Sequence, residues 1–345
     1  MMSENKPSCL TRRRFGQQTG LLAGGALMAS IGRGHAAEVD GTLPERILGK
    51  TGVKLSTFTL GTAPCGQSKS ISTRDVADMV SRSLDLGVTS IDTARIYGNA
   101  EEGIGLALGN RRKEIFLATK VWADTVDDAE QSLAQSLRLL KTDYVDLLYF
   151  HNLGARQVDM AQEPDGVFTW LRKQKELGKT RFVGISGHNL SQRFGPFIES
   201  GDVDVALMVL SFVDRFVYRF EQSVLPLARK HNLGVLAMKV FGGVEGGFGN
   251  YGGPKRRPQL PAEHLELAVR YALEIPGVTS LNIGVHDAEQ VRHNLAMIRR
   301  FEPLTEAEKA KAAALGRELA AEWGPQFGPT TEPVAFRHTA RPQTA

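Results

Sequence analysis

The sequence predicts an α/β protein whose strands close into a (β/α)8 TIM barrel, with an N-terminal β-hairpin and an extra C-terminal helix. Between residues 58 and 300, a short β-branched or apolar run, a loop and a segment of helical spacing recur eight times. Strands that alternate with helices pair in parallel through right-handed crossovers, and eight such units favour a closed barrel over an open sheet. The chain of 345 residues can hold a barrel of about 250 residues as one domain.

The predicted strands are short, and the segments between them have the 3.6-residue apolar period of amphipathic helices, as in Val126, Leu133, Leu137 and Leu140. The eight strands are expected at Phe58–Gly61, Thr89–Thr93, Ile115–Lys120, Val145–His151, Phe182–Ser186, Val205–Ser211, Val235–Val240 and Ser280–Val285.

Three additions flank or interrupt this repeat. Two short strands around a glycine turn, within Arg46–Leu55, predict a hairpin that covers the bottom of the barrel. Thr305 is typical of a helix N-cap and predicts a further helix, and the Pro-, Gly- and Thr-rich tail from Gly324 is expected to be a loop over the barrel mouth. The stretch Phe241–Pro261 holds seven glycines and three prolines, so we expect a long site-shaping loop there.

The first 37 residues are typical of a twin-arginine (Tat) signal peptide. An arginine run at Arg12–Arg14 precedes an apolar stretch, Leu21–Ile31, and small residues follow at Gly34, Ala36 and Ala37. The apolar stretch is shorter than the roughly 20 residues of a membrane span, so no stable membrane span is expected. The expected domains are a signal peptide at 1–37, the barrel at 38–323 and a tail at 324–345. The expected partner of the leader is the Tat export machinery, and the expected location is the periplasm.

Charge and cysteine content exclude other classes of protein. The whole chain has a formal net charge of +4, but the leader contains five basic residues and one acidic residue, so the remainder is formally neutral. Nucleic-acid binding is therefore not expected. Cys9 lies in the leader, which leaves Cys65 without a second cysteine for an intramolecular disulfide.

Four polar residues stand at or just past the ends of three consecutive predicted strands: Asp92, Tyr97, Lys120 and His151. In a barrel these ends converge on one face. The sequence here resembles the aldo-keto reductase family over roughly residues 43–300. The resemblance rests on Gly87–Ala94 with Tyr97-Gly98, on Ala118-Thr119-Lys120, and on Asp146–His151.

The resemblance implies NAD(P)H-dependent reduction of an aldehyde, ketone or sugar carbonyl. Hydride delivery to a carbonyl carbon leaves negative charge on the oxygen, which must be stabilised and protonated. Tyr97 would donate the proton and Lys120 would lower the pKa of the phenol. Asp92 would hold Lys120 in place by an ion pair. His151 would orient the carbonyl oxygen or share in the proton relay.

The resemblance also implies a cofactor site. Ser186 would bind the nicotinamide carboxamide, and Met238, Lys239, Gly242 and Gly243 would line the pyrophosphate path. Gly284, Gln290 and Asn294 would hold the adenosine phosphate at a helix N-terminus. The remaining predicted cofactor residues are Gly61, Thr62 and Asp92.

The sequence departs from the family pattern around the nicotinamide. Gly187, Leu207 and Leu210 stand where many members have asparagine, glutamine and a stacking tyrosine, so Phe212 or Met238 would have to supply the ring platform. Near the adenosine end, His286 and Asp287 replace the usual cationic residues, and Arg292 comes only later in the chain. NADP(H) is favoured over NAD(H) on family grounds, and Asp287 would then have to cap the helix and face away from the phosphate.

Other motifs point to no further chemistry. Gly247–Gly252 fits G-x-G-x-x-G, but it follows no strand and prolines occupy the place of the helix, so no Rossmann function is expected. The scattered histidines predict no metal site. Two alternatives remain open: a nucleotide-retaining redox sensor or partner subunit, and a sugar-modifying enzyme that recycles bound NAD(P). The sequence determines neither the substrate nor the oligomeric state.

Overall fold

The computed structural model of the protein describes residues 42–243 and 258–332. The leader at 1–37, the glycine pattern at 247–252 and the last thirteen residues of the tail lie outside these ranges. The strands are β1 (Glu45–Ile47), β2 (Lys54–Ser56), β3 (Phe58–Gly61), β4 (Ser90–Asp92), β5 (Phe116–Val121), β6 (Val145–Phe150), β7 (Thr180–Gly187), β8 (Val205–Val209), β9 (Gly234–Met238) and β10 (Val278–Gly284).

Helices follow most of the strands, joined in places by short 3-10 turns. The helices are α1 (Ala63–Gln67), α2 (Thr73–Asp85), α3 (Ala100–Leu108), α4 (Val126–Leu140), α5 (Val158–Ala161), α6 (Val167–Glu176), α7 (Phe194–Glu199), α8 (Phe220–Ser223), α9 (Leu225–Lys230), α10 (Leu265–Glu274), α11 (Ala288–Arg299) and α12 (Glu306–Trp323). No helix among residues 42–243 and 258–332 combines the length and apolar character needed to cross a lipid bilayer.

Strands β3 to β10 form a closed parallel barrel, in the order β10-β3-β4-β5-β6-β7-β8-β9. The predicted fold class is therefore confirmed, and each predicted barrel strand ends within two residues of the observed one. The strands are almost entirely buried, because side chains fill the barrel on one face and the helices cover the other. The register places Gly61 beside Asp92, Asp92 beside Ala118, and Lys120 beside Tyr149, so the polar strand ends lie at one level.

The hairpin β1–β2 covers the end of the barrel where the strands begin. Arg46 donates hydrogen bonds to the carbonyls of Leu273 and Val278, at 2.8 and 2.7 Å, and Lys50 N donates to Asn232 O at 2.6 Å. The buried Leu48 packs against Gly234, the first residue of β9. These contacts leave the opposite end, where the strands finish, open for a functional site.

The C-terminal segment crosses that opposite end. Helix α12 begins with a capping box, in which Thr305 Oγ1 accepts a hydrogen bond from Glu308 N and the Glu308 carboxylate accepts one from Thr305 N. After α12 the chain continues over the loops that follow β7 and β8. Asn189 Nδ2 donates to Pro329 O at 3.2 Å, and the Arg193 guanidinium makes two hydrogen bonds to the Glu332 carboxylate. Phe327, which belongs to this segment, is fully buried.

Candidate functional site

A cavity of about 600 Å³ opens at the carboxyl ends of the barrel strands. Ten of the eleven predicted cofactor residues line it, together with Tyr97. These ten are Gly61, Thr62, Asp92, Met238, Lys239, Gly242, Gly243, Gly284, Gln290 and Asn294. They come from the ends of four strands and from α11, so the fold brings distant parts of the sequence to one wall. The volume is within the range of small-molecule and cofactor sites, about 300–1,000 Å³.

Ser186 is the exception among the predicted cofactor residues. It is buried in β7 and does not line the cavity, because its hydroxyl is directed at the carbonyl of Phe150 on the neighbouring strand, at 3.5 Å. His188, which directly follows β7, lines the cavity instead. The contact between Ser186 and a nicotinamide stays a prediction.

The structure distinguishes the two candidates for the nicotinamide platform. Met238 lines the cavity, as does Leu207. Phe212 is not among the lining residues: its ring lies 6.0 Å from that of Tyr271, and its carbonyl approaches Gly316 of α12. An apolar floor of Met238 and Leu207 thus stands where a stacking aromatic was expected.

The four predicted catalytic side chains gather in one buried cluster. Lys120 Nζ donates a short hydrogen bond to Asp92 Oδ1 and a second, of 2.8 Å, to the carbonyl of Thr93. The same ammonium lies 4.7 Å from the centre of the Tyr97 ring. The ring of His151 stands edge-on to that of Tyr97 at 6.1 Å. All four side chains are at most 9% exposed, so their charges act through little water.

Only part of this cluster faces the cavity. Asp92 and Tyr97 line it, whereas Lys120 and His151 are not among its lining residues. The ring of His151 also packs edge-on against that of Trp122, at 5.2 Å. Asp92 Oδ2 is buried and has no hydrogen-bond partner in the described structure, so it can accept a hydrogen bond from a bound group.

Burial controls the proton affinities in the cluster. Burial, followed by the negative charge of Asp92, raises the pKa of Tyr97 well above its ordinary value. The ammonium is paired with Asp92 and the buried phenolate is disfavoured, so the pKa of Tyr97 is raised overall, and stabilisation of the phenolate by Lys120 stays a prediction. Burial, followed by the charges of Lys120 and Arg156, holds the pKa of His151 well below its ordinary value, so its imidazole is neutral.

The far end of the cavity lies at the N-terminus of α11. Asp287 caps this helix by accepting a hydrogen bond from Gln290 N at 2.9 Å, which is the capping role that the sequence analysis required of it. Glu289 and His293 also line the cavity here, and of these two His293 was not selected from the sequence. Arg292 is paired with Glu289 by a short salt bridge and does not line the cavity.

Lys239 enters the cavity from an unusual backbone conformation. It directly follows β9 and has a positive φ of 60°, which a residue with a side chain seldom adopts. Its ammonium lies 5.7 Å from the centre of the Phe327 ring. Backbone strain of this kind persists where the surrounding structure holds it, often at binding sites. Lys239 and the helix N-terminus supply positive potential, which fits a phosphate-bearing dinucleotide.

In residues 42–243 and 258–332, no three His, Cys, Asp or Glu side chains are placed to hold a metal ion.

Comparison with known proteins gives consistent similarities. The model of the aldo/keto reductase family matches residues 57–261. L-galactose dehydrogenase from Arabidopsis thaliana is 28% identical over 298 residues, which cover 75% of this chain and 89% of that protein. The aldo-keto reductase AKR11C1 from Bacillus halodurans, in its holo form, is 25% identical, with a TM-score of 0.62 and coverage of 79% of this chain and 96% of the other.

A similar barrel is found in an aldo-keto reductase from Klebsiella pneumoniae that was solved in complex with NADPH. It is 20% identical, with a TM-score of 0.62, and the similarity covers 85% of this chain and all of the other. At this identity the similarity concerns the fold.

Proposed function

The chain belongs to the aldo/keto reductase family of NAD(P)H-dependent oxidoreductases, and from this premise we propose that it reduces a carbonyl compound with Tyr97 as the proton donor. The observation that carries the proposal is the buried cluster of Asp92, Tyr97, Lys120 and His151 beside a cavity of cofactor size. The substrate would be an aldehyde, a ketone or a sugar carbonyl. Similarity to a protein named L-galactose dehydrogenase supports the sugar class.

The cavity residues fit a nicotinamide dinucleotide. The unpartnered Asp92 Oδ2 can accept a hydrogen bond, Met238 and Leu207 give an apolar surface for a ring, and Lys239 with the start of α11 can hold phosphates. When bound, the reduced cofactor supplies the hydride equivalent for the carbonyl carbon.

Tyr97 completes the reduction by giving its phenol proton to the carbonyl oxygen. Because its pKa is raised, the phenol keeps its proton until negative charge develops on a nearby oxygen. Lys120, 4.7 Å from the phenol ring, then stabilises the phenolate that remains. Asp92 keeps the ammonium in place. The neutral imidazole of His151 can donate one hydrogen bond toward the carbonyl oxygen, and it orients the substrate without supplying the proton.

Tyr97→Phe provides the test of this role. Purified protein should oxidise NADPH when offered a panel of aldehydes, ketones and sugars, and Tyr97→Phe should lower kcat by roughly 10²–10⁴-fold. The variant should still bind NADPH, as measured by the change in cofactor fluorescence. Tyr144→Phe, which alters a phenol outside the cavity, is the matched control and should keep full activity. Cofactor binding without turnover of any carbonyl in the wild type would count against reduction and favour a nucleotide-retaining sensor.

We further propose that NADP(H) is preferred over NAD(H). The aldo-keto reductase from Klebsiella pneumoniae that was solved in complex with NADPH supports this preference, as do His286 and His293 at the adenosine end of the cavity. Asp287 is engaged as a helix cap, so its carboxylate is directed at the helix amides. The ratio of kcat/KM for NADPH to that for NADH measures the preference. A ratio below one would reverse it, and Glu289 would then be the expected partner of a free ribose hydroxyl.

We also propose that residues 1–37 form a cleaved Tat leader, that residues 38–323 are the exported barrel and that residues 324–345 form its tail. Arg12–Arg14 and the small residues at 34–37 support this proposal. Replacing both Arg12 and Arg13 by lysine should retain the protein in the cytoplasm, and N-terminal sequencing of periplasmic protein should begin near residue 38. Export that continues in the double variant would exclude the Tat route.

A further inference from the structure

Glu101 is a buried carboxylate that the proposed reaction does not use. It lies in the first turn of α3, its side chain is fully shielded from solvent, and both of its oxygens accept hydrogen bonds. Thr119 Oγ1 donates to Oε1 at 2.7 Å, and Arg95 Nη1 donates to Oε2 at 2.5 Å. A buried charge with this geometry is held in one position, because every displacement would leave it unpaired.

The two partners of Glu101 come from the two segments that carry the proposed proton donor and its ammonium. Arg95 belongs to the loop between β4 and α3, and its second nitrogen, Nη2, donates to the carbonyl of Gly98 at 3.1 Å. The guanidinium therefore holds the loop on both sides of Tyr97. Thr119 immediately precedes Lys120 in β5, and its side chain contacts α3 while that of Lys120 reaches Asp92.

Other contacts fix the rest of the loop, and those that reach β5 or Lys120 hold its first residue, Thr93. Gly98, at a φ of 56°, lies so close to Gly66 of α1 that an added Cβ would stand 2.1 Å from the Gly66 carbonyl oxygen. Thr93 N donates to Ala118 O at 2.9 Å, but this bond precedes Arg95 in the chain. Glu101 thus connects the part of the loop that carries Tyr97 to the strand position next to Lys120.

We propose that Glu101 is a positioning residue that sets the separation between the Tyr97 phenol and the Lys120 ammonium through Arg95 and Thr119. The inference rests on the proposed function, since the separation matters for proton donation by Tyr97. Misplacement of a reacting group by about 1 Å can lower a rate by roughly 100-fold. The hydrogen bonds of Glu101 to Arg95 and Thr119 position the phenol and the ammonium, and they do not involve the predicted cofactor residues. Their loss therefore lowers kcat and leaves the binding of substrate and cofactor unchanged.

Thr119→Val is the sharpest test, because it replaces the hydroxyl by a methyl group of similar size. We expect kcat to fall about tenfold, while KM for the carbonyl and Kd for NADPH stay within about twofold of the wild type. Thr119→Ser restores the hydroxyl and should restore kcat. Thr279→Val is the matched control: Thr279 is a buried strand threonine whose hydroxyl donates to Ile47 O at 3.2 Å, at the hairpin end of the barrel. It should lower the melting temperature without changing kcat.

A second readout does not depend on turnover. In protein labelled with ¹³C at tyrosine Cζ, the Tyr97 resonance is assigned from its loss in Tyr97→Phe. This resonance should move in Thr119→Val and remain in place in Thr279→Val. Arg95→Lys, a change at a partly exposed site, keeps the charge but cannot bridge both Glu101 and Gly98. It should move the same resonance and lower kcat, which covers the case in which Thr119→Val does not fold.

The possible results separate the two proposals. If the wild type reduces no carbonyl but the Tyr97 resonance moves in Thr119→Val, the proposed function is refuted and the positioning role of Glu101 stands. An unmoved resonance with unchanged kcat in both Thr119→Val and Arg95→Lys would overturn the positioning role. A parallel loss of kcat in Thr279→Val would also overturn it, since general destabilisation would then explain the effect.

Discussion

His151 and Asp214 give the folded protein two opposite dependences of stability on pH. Burial, followed by the charges of Lys120, Arg156 and Lys239, holds the pKa of His151 well below its ordinary value. Burial raises the pKa of Asp214 to about 7. Both side chains are 1% exposed, so these shifts belong to the folded state. The free energy of unfolding must therefore change with pH through both groups.

The two contributions differ in sign. The unfolded chain protonates His151 with a pKa of about 6.5 while the folded protein keeps it neutral, so acidification favours unfolding. From about pH 7 to about pH 5.5 this contribution to stability falls by about 1.3 kcal/mol. The folded protein instead binds a proton on Asp214 that the unfolded carboxyl releases, so this contribution rises by about 1.6 kcal/mol over the same interval. In the wild type the two nearly cancel.

Urea unfolding of the wild type, His151→Phe and Asp214→Asn at both pH values separates the contributions. On acidification His151→Phe should lose about 1.3 kcal/mol less stability than the wild type, and Asp214→Asn should lose about 1.6 kcal/mol more. Other titrating groups cancel, because each variant is compared with the wild type over the same interval. Parallel behaviour of His151→Phe and the wild type would refute the neutral buried imidazole and, with it, the assignment of the proton to Tyr97.

Two further predictions concern the fold. Gly49→Ala should destabilise the protein by more than about 3 kcal/mol in urea unfolding, because φ is 48° and an added Cβ would lie 2.3 Å from the Leu233 carbonyl carbon. Gly52→Ala, at a φ of 70° with open space around it, should cost only about 1 kcal/mol, and equal costs would contradict the packing argument. Burial raises the pKa of the Cys65 thiol to about 12, so this thiol should resist iodoacetamide at about pH 8 until the protein is unfolded. Labelling of Cys65 in the native protein, detected by mass spectrometry, would show that the site opens.

The barrel could be predicted from the sequence because its signals are local and repeated. Strand composition and helical spacing recur eight times, and parallel pairing with closure then follows from general rules. The hairpin and the helix after Thr305 were also predictable, since a glycine turn and an N-cap each depend on a few neighbouring residues. The observed strand ends differ from the predicted ones by up to two residues, because pairing with neighbouring strands decides where a strand stops.

The cavity wall was less predictable, because it depends on side-chain direction. Ser186 and His188 are both in or next to β7, yet only His188 lines the cavity, since the Ser186 hydroxyl turns to the Phe150 carbonyl. Phe212 and Met238 were equal candidates in the sequence, but the Phe212 ring packs against Tyr271 of α10, whereas Met238 lines the cavity. Nothing in a linear pattern distinguishes these pairs.

Glu101 shows a different limit of sequence reasoning. An acidic residue in the first turn of a helix is ordinarily explained by the helix dipole and by exposure to solvent. The structure instead buries Glu101 between Arg95 and Thr119, which are separated by 24 positions in the chain. A role that requires three segments to meet becomes visible only when the segments are placed together.

The raised pKa of Tyr97 and the lowered pKa of His151 share their largest cause, which is burial. The same burial removes water that would otherwise exchange protons with the site or screen the Lys120 ammonium. A phenol that holds its proton at rest gives it up only to a strong base, and an alkoxide forming in the cavity is such a base. Because the ammonium lies 4.7 Å from the ring, the phenolate is stabilised as it forms. In the proposed reaction, selective proton donation by Tyr97 therefore depends on both the enclosure and the Asp92–Lys120 pair.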